Sequence, residues 1–449
     1  MNTQKQKIGN WFKNSISAKM LMVGFLILIL LIPLAFVKDL IRERGFRQHE
    51  VIGEINAKWG QKVILNGPIL KVPYNVFVEE KVFDEKTKTF LKSQKAVRHH
   101  AYFFPWELAI ESDVKTQSLE RGIYESVVYN SKTQVKGKFA QLNFKVKEIN
   151  DENILWDKAT VLFKTSNLKG IKNTVRVKIG KEQYALKPKF DSDFMNTLES
   201  TFLKDLHTIQ DHPLSFESNI DINGSNSLQF IPIGKETKVA MKSNWHSPSF
   251  NGNFLPETEG KKISNSGFEA RWKVLETNRR FGQYFFDNLP DLSSFSLGTE
   301  FLVPVDDYQK TERTSKYGLM IIGLTLLVFL LIQISSKIAI HPFQYLMIGL
   351  ALVMFYTLLI SISEHQNYLF AYLVSALAVV SLITIYSRSI LKNRKFTLLV
   401  LGSMFSLYTF IFVIIQLEDY ALLVGSIGLF VILGTIMFTS RKIDWSGGG

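Results

Sequence analysis

Residues 20–37 read MLMVGFLILILLIPLAFV, an uncharged run of 18. A helix needs about 20 apolar residues to cross the hydrocarbon core of a bilayer, so this run is long enough to span one. Lys19 precedes it and no A-x-A cleavage site follows. The run is also longer than the apolar core of a usual signal peptide, so it reads as an uncleaved anchor. Working outward, comparable apolar blocks recur only beyond Lys316, at about 317–334, 344–363, 368–387, 396–415 and 420–438. The intervening stretch, 38–315, is charged and has no such run. The expected fold is a membrane α-helical bundle of six transmembrane helices. A large extracytoplasmic mainly-β domain is inserted between helices 1 and 2. The segments are a tail at 1–19, helix 1 at 20–37, the β-domain at 38–315, a five-helix region at 316–440 and a tail at 441–449. Gly447–Gly449 is set aside as an expression scar.

Charge gives the orientation. The chain carries a net +13, of which residues 1–37 hold +4, residues 316–449 another +4, and the long loop only +5. The basic excess therefore lies mostly at membrane flanks, and with no basic-aromatic face or motif a nucleic-acid partner is not expected. Lysines of the N-terminal tail, Lys337, the Arg388–Lys395 cluster and Arg441/Lys442 fall on one side of six alternating helices. The opposite short loops, 363–367 and 416–419, carry acids and no Lys or Arg. Positive charge favours the cytoplasmic side, so both termini are expected in the cytoplasm and 38–315 in the periplasm. Lys38, Arg42, Arg44 and Arg47 run against the rule, although long translocated domains tolerate such charges. The chain has no cysteine, which excludes disulfides, thiolate catalysis, Cys-type zinc sites and iron–sulfur clusters.

Within 38–315, period-two alternation reads as half-buried strands around 69–76, 135–141, 174–179, 228–230 and 237–241. Gly67-Pro68, Asn223-Gly224, Ser247-Pro248, Asn251-Gly252 and Gly267 punctuate them. Two helices are expected there. One is at about 193–208, where Phe194, Leu198, Phe202 and Leu206 repeat every four residues; the other, at 42–59, prolongs helix 1.

Catalytic motifs are missing: G-x-x-x-x-G-K-[ST], G-x-S-x-G, H-E-x-x-H and G-x-G-x-x-G do not occur. His99 and His100 are adjacent, so on a strand they face opposite ways and make a poor metal pair. No catalytic residue, metal or cofactor is expected. One cluster stands out at the outer membrane edge: Asp306, Asp307, Tyr308, Glu312 and Arg313 before helix 2, Glu364 and His365 after helix 3, and Glu418 and Asp419 before helix 6. Carboxylates with a His there could relay protons, hold a cation, or clamp the β-domain onto the bundle; ordinary solvated edge charge is the plainer reading. A clamp would have Glu364 and Glu418 meeting partners such as Arg313, Lys316, Tyr308 or His365.

Several stretches carry a family likeness. They include Leu31-Ile32-Pro33-Leu34, Gly67-Pro68-Ile69-Leu70 and a motif built from Trp245, Pro248, Ser249, Phe250, Gly252, Phe254, Leu255 and Pro256. In the membrane half they include His341-Pro342, Ser363-Glu364-His365 and Leu417 to Leu423. Through these the chain resembles the CreD family of bacterial inner-membrane proteins, with His246-Ser247 departing from the family's Pro-His. The resemblance implies a role in cell envelope integrity and envelope stress, with links to β-lactam response and colicin tolerance. It implies no catalytic reaction. The expected function is thus a non-enzymatic inner-membrane protein in the lipid bilayer, whose periplasmic domain contacts an envelope protein, lipid or cell-wall component. The alternatives are an ion- or proton-coupled permease using the acidic edge, or a membrane enzyme acting on lipid or glycan.

Overall fold

The computed structural model describes residues 15–84, 89–190, 195–204, 206–210, 212–301, 307–336, 338–417 and 420–441. The chain divides into two compact units, Met1–Glu50 with Val305–Gly449, and Val51–Pro304.

In the first unit the helices are α1 (Ile16–Trp59, which runs on into the second unit), α2 (Asp307–Lys316), α3 (Gly318–Ser336) and α4 (Pro342–Ser363). They continue with α5 (Tyr368–Leu391), α6 (Arg394–Gln416) and α7 (Ala421–Ser440). All but α2 are long and apolar enough to cross a membrane. On α1, Val23, Leu26, Leu30 and Leu34 are buried, while Leu21, Phe25, Leu28 and Ile32 are exposed, an inward stripe at helical spacing. Leu30 lies so close to Gly349 of α4 that a Cβ there would stand 2.1 Å from Leu30 Cδ1. Along α5 the inward stripe is Ala371/Tyr372, Ser375/Ala376 and Val379/Val380, while Ala378 faces out. The interior is aromatic. Phe355 meets Tyr372 and Tyr408 at centroid distances of 5.4 and 4.8 Å. Tyr345 donates to Gln333 Oε1 at 2.6 Å and Tyr372 to the Tyr408 carbonyl at 2.7 Å, giving their hydroxyls partners where water is excluded.

The second unit holds β1 (Val63–Asp84), β2 (Thr89–Phe103), β3 (Glu107–Arg121), β4 (Tyr124–Phe139), β5 (Thr160–Thr165) and β6 (Arg176–Ile179). It goes on through β7 (Glu182–Ala185), β8 (Lys187–Lys189), β9 (Asn196–Glu199), β10 (Leu214–Ser225), β11 (Ser227–Phe230) and β12 (Glu236–Ser243). β13 (Pro248–Gly252), β14 (Lys262–Ser264), β15 (Gly267–Leu275), β16 (Tyr284–Phe286) and β17 (Leu297–Phe301) complete it. One sheet runs β13-β17-β11-β1-β5-β9-β8, with β2 joined to β1 and β16; the other runs β14-β15-β12-β3-β4-β10-β6-β7. Inward residues of both sheets, among them Val72, Phe139, Val161, Phe163, Ile222 and Trp272, form one buried apolar cluster. This is the two-layer solution by which sheets bury an apolar face.

Two expectations fail here. The segment 193–208 is not a helix: Asn196–Glu199 is a strand paired with β5 and Leu206–Gln210 a 3-10 turn, while Phe194 lies outside the described residues. Four is an even spacing, so it satisfies one face of a strand as well as a helix stripe. Phe202, which a helix would bury, is 61% exposed. Gly67-Pro68 does not break a strand either; it forms an irregularity inside β1, between Asn66 and Ile69. The helix expected at 42–59 is present as the end of α1.

Candidate functional site

The edge cluster begins with α2, whose sequence DYQKTERTSK is too polar to register as a helix by apolar periodicity. It nevertheless buries Thr311, Thr314 and Ser315. Thr314 Oγ1 donates to the Lys310 carbonyl at 2.7 Å, leaving it to accept from the Tyr368 hydroxyl, also at 2.7 Å. Asp307 Oδ2 accepts from the backbone N–H of Tyr368 at 3.0 Å, at the start of α5, and pairs with Lys310 at 3.7 Å. Helix N-termini carry unpartnered N–H groups and positive partial charge, so a carboxylate is favoured there. Arg313 donates to the Leu417 carbonyl at 3.1 Å, placing a cation at the negative end of α6. These contacts tie α2 to α5 and α6 through helix ends.

Glu364 does not meet the partners expected of it. Its carboxylate lies 3.5 Å from Arg44 Nε on α1, with the Glu364 side chain 16% exposed and that of Arg44 46%. Glu364 closes α4, where the helix already presents negative charge, so an arginine there offsets an unfavourable placement. Two other bases that ran against the charge rule are paired as well, Arg42 with Asp39 and Arg47 with Glu50. Tyr308 and Glu312 line a different space, a cavity of about 230 Å³ shared with Arg42, Phe46 and His49 of α1. His365 is exposed. Asp306, Glu418 and Asp419 lie outside the described residues. The described part of the cluster is therefore three separate sets of contacts, and each joins one helix to another.

In the β unit, the 245–256 motif forms the edge strand β13 and the corner after it. Pro248 pairs with Phe301 and Gly252 with Leu297. The Trp245 indole donates to the Ser247 carbonyl at 3.1 Å. Phe250 packs edge-on against Phe268 and Trp272 at 5.7 and 5.8 Å. Ser249 donates to Asn251 Oδ1 at 3.2 Å. Gly252 has φ +111°, and a Cβ there would stand 2.2 Å from the Ser296 carbonyl oxygen. Phe254 packs on the core, Pro256 is half-buried and Leu255 is 75% exposed. The motif closes the end of a sheet, where Asn251 donates in turn to Glu300, itself 3.6 Å from the Lys62 ammonium.

His99 and His100 do diverge. His99 stacks on Tyr74 and its Nδ1 lies 2.6 Å from Asp287 Oδ1, which also accepts from the Tyr74 hydroxyl at 3.1 Å. Burial first, then the Asp287 carboxylate, pushes the Tyr74 phenol up to about 12. His100, on the opposite face, is pushed down by burial and by the charges of Lys71 and Lys189. Lys71 lies between buried Leu70 and Val72, whereas Lys189 lies on the short exposed strand β8, so no local pattern joins the two lysines.

Comparison with known proteins agrees with this architecture. A family model described as inner membrane protein CreD matches residues 15–446. The inner membrane protein CreD of Escherichia coli (strain K12) is 27% identical over 436 residues, which cover 93% of this chain and 91% of that protein. Since the family match runs through the helical and the β unit alike, the chain belongs to the CreD family.

Proposed function

We propose that this chain is a non-enzymatic inner-membrane protein that supports the cell envelope, its helices serving as anchor and its β unit making the functional contacts on the periplasmic side. The observation that carries this reading is the filling of the helical unit. Phe329, Tyr345, Phe355 and Tyr356 are fully buried in its interior. Among the described residues of α3 to α7, charged side chains occur only at Arg388, Arg394 and Lys395, close to helix ends. A proton or ion path calls for ionisable groups at depth, so this interior favours an anchor over a permease. The likeness to a named inner-membrane protein and the Lys/Arg asymmetry of the flanks support the location.

Two measurements test it together. Cells lacking the chain should lose resistance to detergent and recover it with the full-length protein. The purified protein in proteoliposomes should leave an imposed pH gradient unchanged. Protein-dependent collapse of the gradient, or unaltered detergent resistance in cells without the chain, would overturn the proposal.

A further inference from the structure

A cleft of about 1250 Å³ lies within the β unit, bounded by the corner between β2 and β3, the segment 140–151 that follows β4, and Gln283-Tyr284. Part of its lining is aromatic. Phe103 and Phe144 are buried with their ring centroids 5.0 Å apart, and Tyr284 packs on Phe103 at 6.2 Å. Hydrogen bonds hold the walls in place. The Phe104 N–H donates to the Gln283 carbonyl at 3.0 Å, the Trp106 N–H to the Lys138 carbonyl at 2.8 Å, and the Gln283 amide to the Pro105 carbonyl at 2.6 Å. The cleft is therefore preformed, and a ligand entering it has little to order.

The rest of the lining is polar. Among the described residues, the side chains of Gln141, Asn143, Glu148, Asn150 and Asp151 enter no hydrogen bond or ion pair, so three amides and two carboxylates are open to a ligand. Such side chains ordinarily face bulk water; here they converge with aromatic rings on one space. Trp106, at the same cleft, is 44% exposed. The Lys235 ammonium covers one face of its ring at 3.8 Å and reaches Glu276 at 3.9 Å, so the exposed surface is the remainder of the indole. This combination selects among ligands. Glu148, Asp151 and Glu276 stand beside Lys145 and Lys235, which disfavours an anionic group. A lipid tail would strip water from the amides and carboxylates without replacing their hydrogen bonds. A saccharide suits both halves of the lining: its C–H faces lie on aromatic rings, and its hydroxyls donate to carboxylates and bond to amides. Acetamido substituents fit further, with a methyl for the Phe103/Phe144 surface and an amide for Asn143. A drug-sized ligand fills about 300–1,000 Å³, so this space takes a chain of several sugars.

We propose that this cleft binds a neutral glycan chain of N-acetylhexosamine units, with Trp106 as the stacking platform and Asn143 and Asp151 holding acetamido and hydroxyl groups. The inference rests on the reading of the β unit as the part that makes contacts in the envelope, and it names the chemistry of one such contact. The test uses the full chain purified in a detergent without a sugar headgroup. Calorimetric titration with chitotetraose, a chain of β-linked N-acetylglucosamine, should give saturable binding with one site per chain. Maltotetraose, which has no acetamido groups, should bind at least tenfold more weakly. Trp106→Ala should weaken chitotetraose binding at least tenfold and Asn143→Ala several-fold, whereas the exposed-surface control Lys181→Ala should match wild type. Absence of saturable chitotetraose binding, equal binding of the two sugars, or binding that Trp106→Ala and Asn143→Ala both leave unchanged would overturn the proposal. Saturable binding of tetra-alanine in place of chitotetraose would overturn it in favour of a peptide. Because the Asn143 side chain is exposed and bonds to no other described residue, Asn143→Ala keeps the test decisive if Trp106→Ala fails to fold. The outcome is separable from that of the gradient and detergent-resistance measurements. An inert cleft refutes the glycan site and leaves the anchor reading standing, and collapse of the gradient does the reverse.

Discussion

Replacing Glu199 by Gln should be among the most damaging single changes in the β unit. The substitution keeps the shape but removes the charge that Lys71, Lys189 and Thr160 share. Breaking a buried ion pair from one side costs about 3–5 kcal/mol when both groups are fully desolvated. Here the Lys71 and Glu199 side chains keep 11% and 18% of their exposure, and the Gln amide can still accept from Thr160, so we expect about 2–3 kcal/mol. For a unit of this size each kcal/mol moves the midpoint by roughly 2–4 °C, so thermal unfolding in detergent should fall by about 5–10 °C. The pH dependence follows from the same contacts. Burial alone would raise the Glu199 carboxyl, but hydrogen bonds from Lys189 and Thr160 and the two lysine charges outweigh it and hold it below its usual range. A depressed folded value stabilises above the unfolded value of about 4.3 and is lost as pH falls through the folded one. Wild type should therefore lose stability along an acid limb below pH ~4.3 that is shallower in Glu199→Gln. A variant melting within ~1 °C of wild type, equivalent to less than ~0.5 kcal/mol, would refute this account of the lysine cluster.

Four further outcomes are expected. Asp307→Ala, which strips the acceptor from the start of α5, should cost about 1–2 kcal/mol in thermal unfolding of the detergent-solubilised chain. Arg44→Ala should destabilise more than Glu364→Ala, because it leaves a carboxylate facing the negative end of α4, with both effects near or below ~1 kcal/mol and a double mutant less than additive. Gly252→Ala forces a Cβ against the Ser296 carbonyl at φ +111° and should cost about 2–3 kcal/mol, read as a lowered midpoint of the β unit. A periplasm-active reporter should be active when fused after Asn150 and silent after Lys392; the reverse would invert the proposed topology.

The parts legible in the sequence were those in which one physical signal acts alone. Nothing competes with the apolar runs of α3 to α7, so their existence and approximate bounds could be read directly. β4 and β12 could be read because one face meets the core and the other water, giving Thr133/Val135 and Thr237/Val239/Met241 inward against exposed Lys132, Lys136, Lys238 and Lys242. β1 alternates less clearly, since Ile69 to Tyr74 are buried on both faces. α2 escaped because a helix held by Thr314, Asp307 and Arg313 at its neighbours' ends has no apolar stripe to find. Arg44 and Glu364 are separated by most of the chain, and no local pattern joins them. Lys164, Thr197 and Lys189 become neighbours only through strand register, which depends on all three strands being placed.

The aromatic filling of the helical unit has a spectroscopic consequence. Tyr345, Tyr356, Tyr368, Tyr372 and Tyr408 are buried there, whereas the tryptophans at 59, 106, 156, 245 and 272 all belong to Val51–Pro304, with only Trp11 and Trp445 outside it. Red-edge excitation, which selects indole over phenol, will therefore report mainly on the sheets. Tyrosine emission and far-ultraviolet ellipticity will weight the helices. A single sample heated once can thus yield two separate melting curves, one for each unit, without any label being introduced.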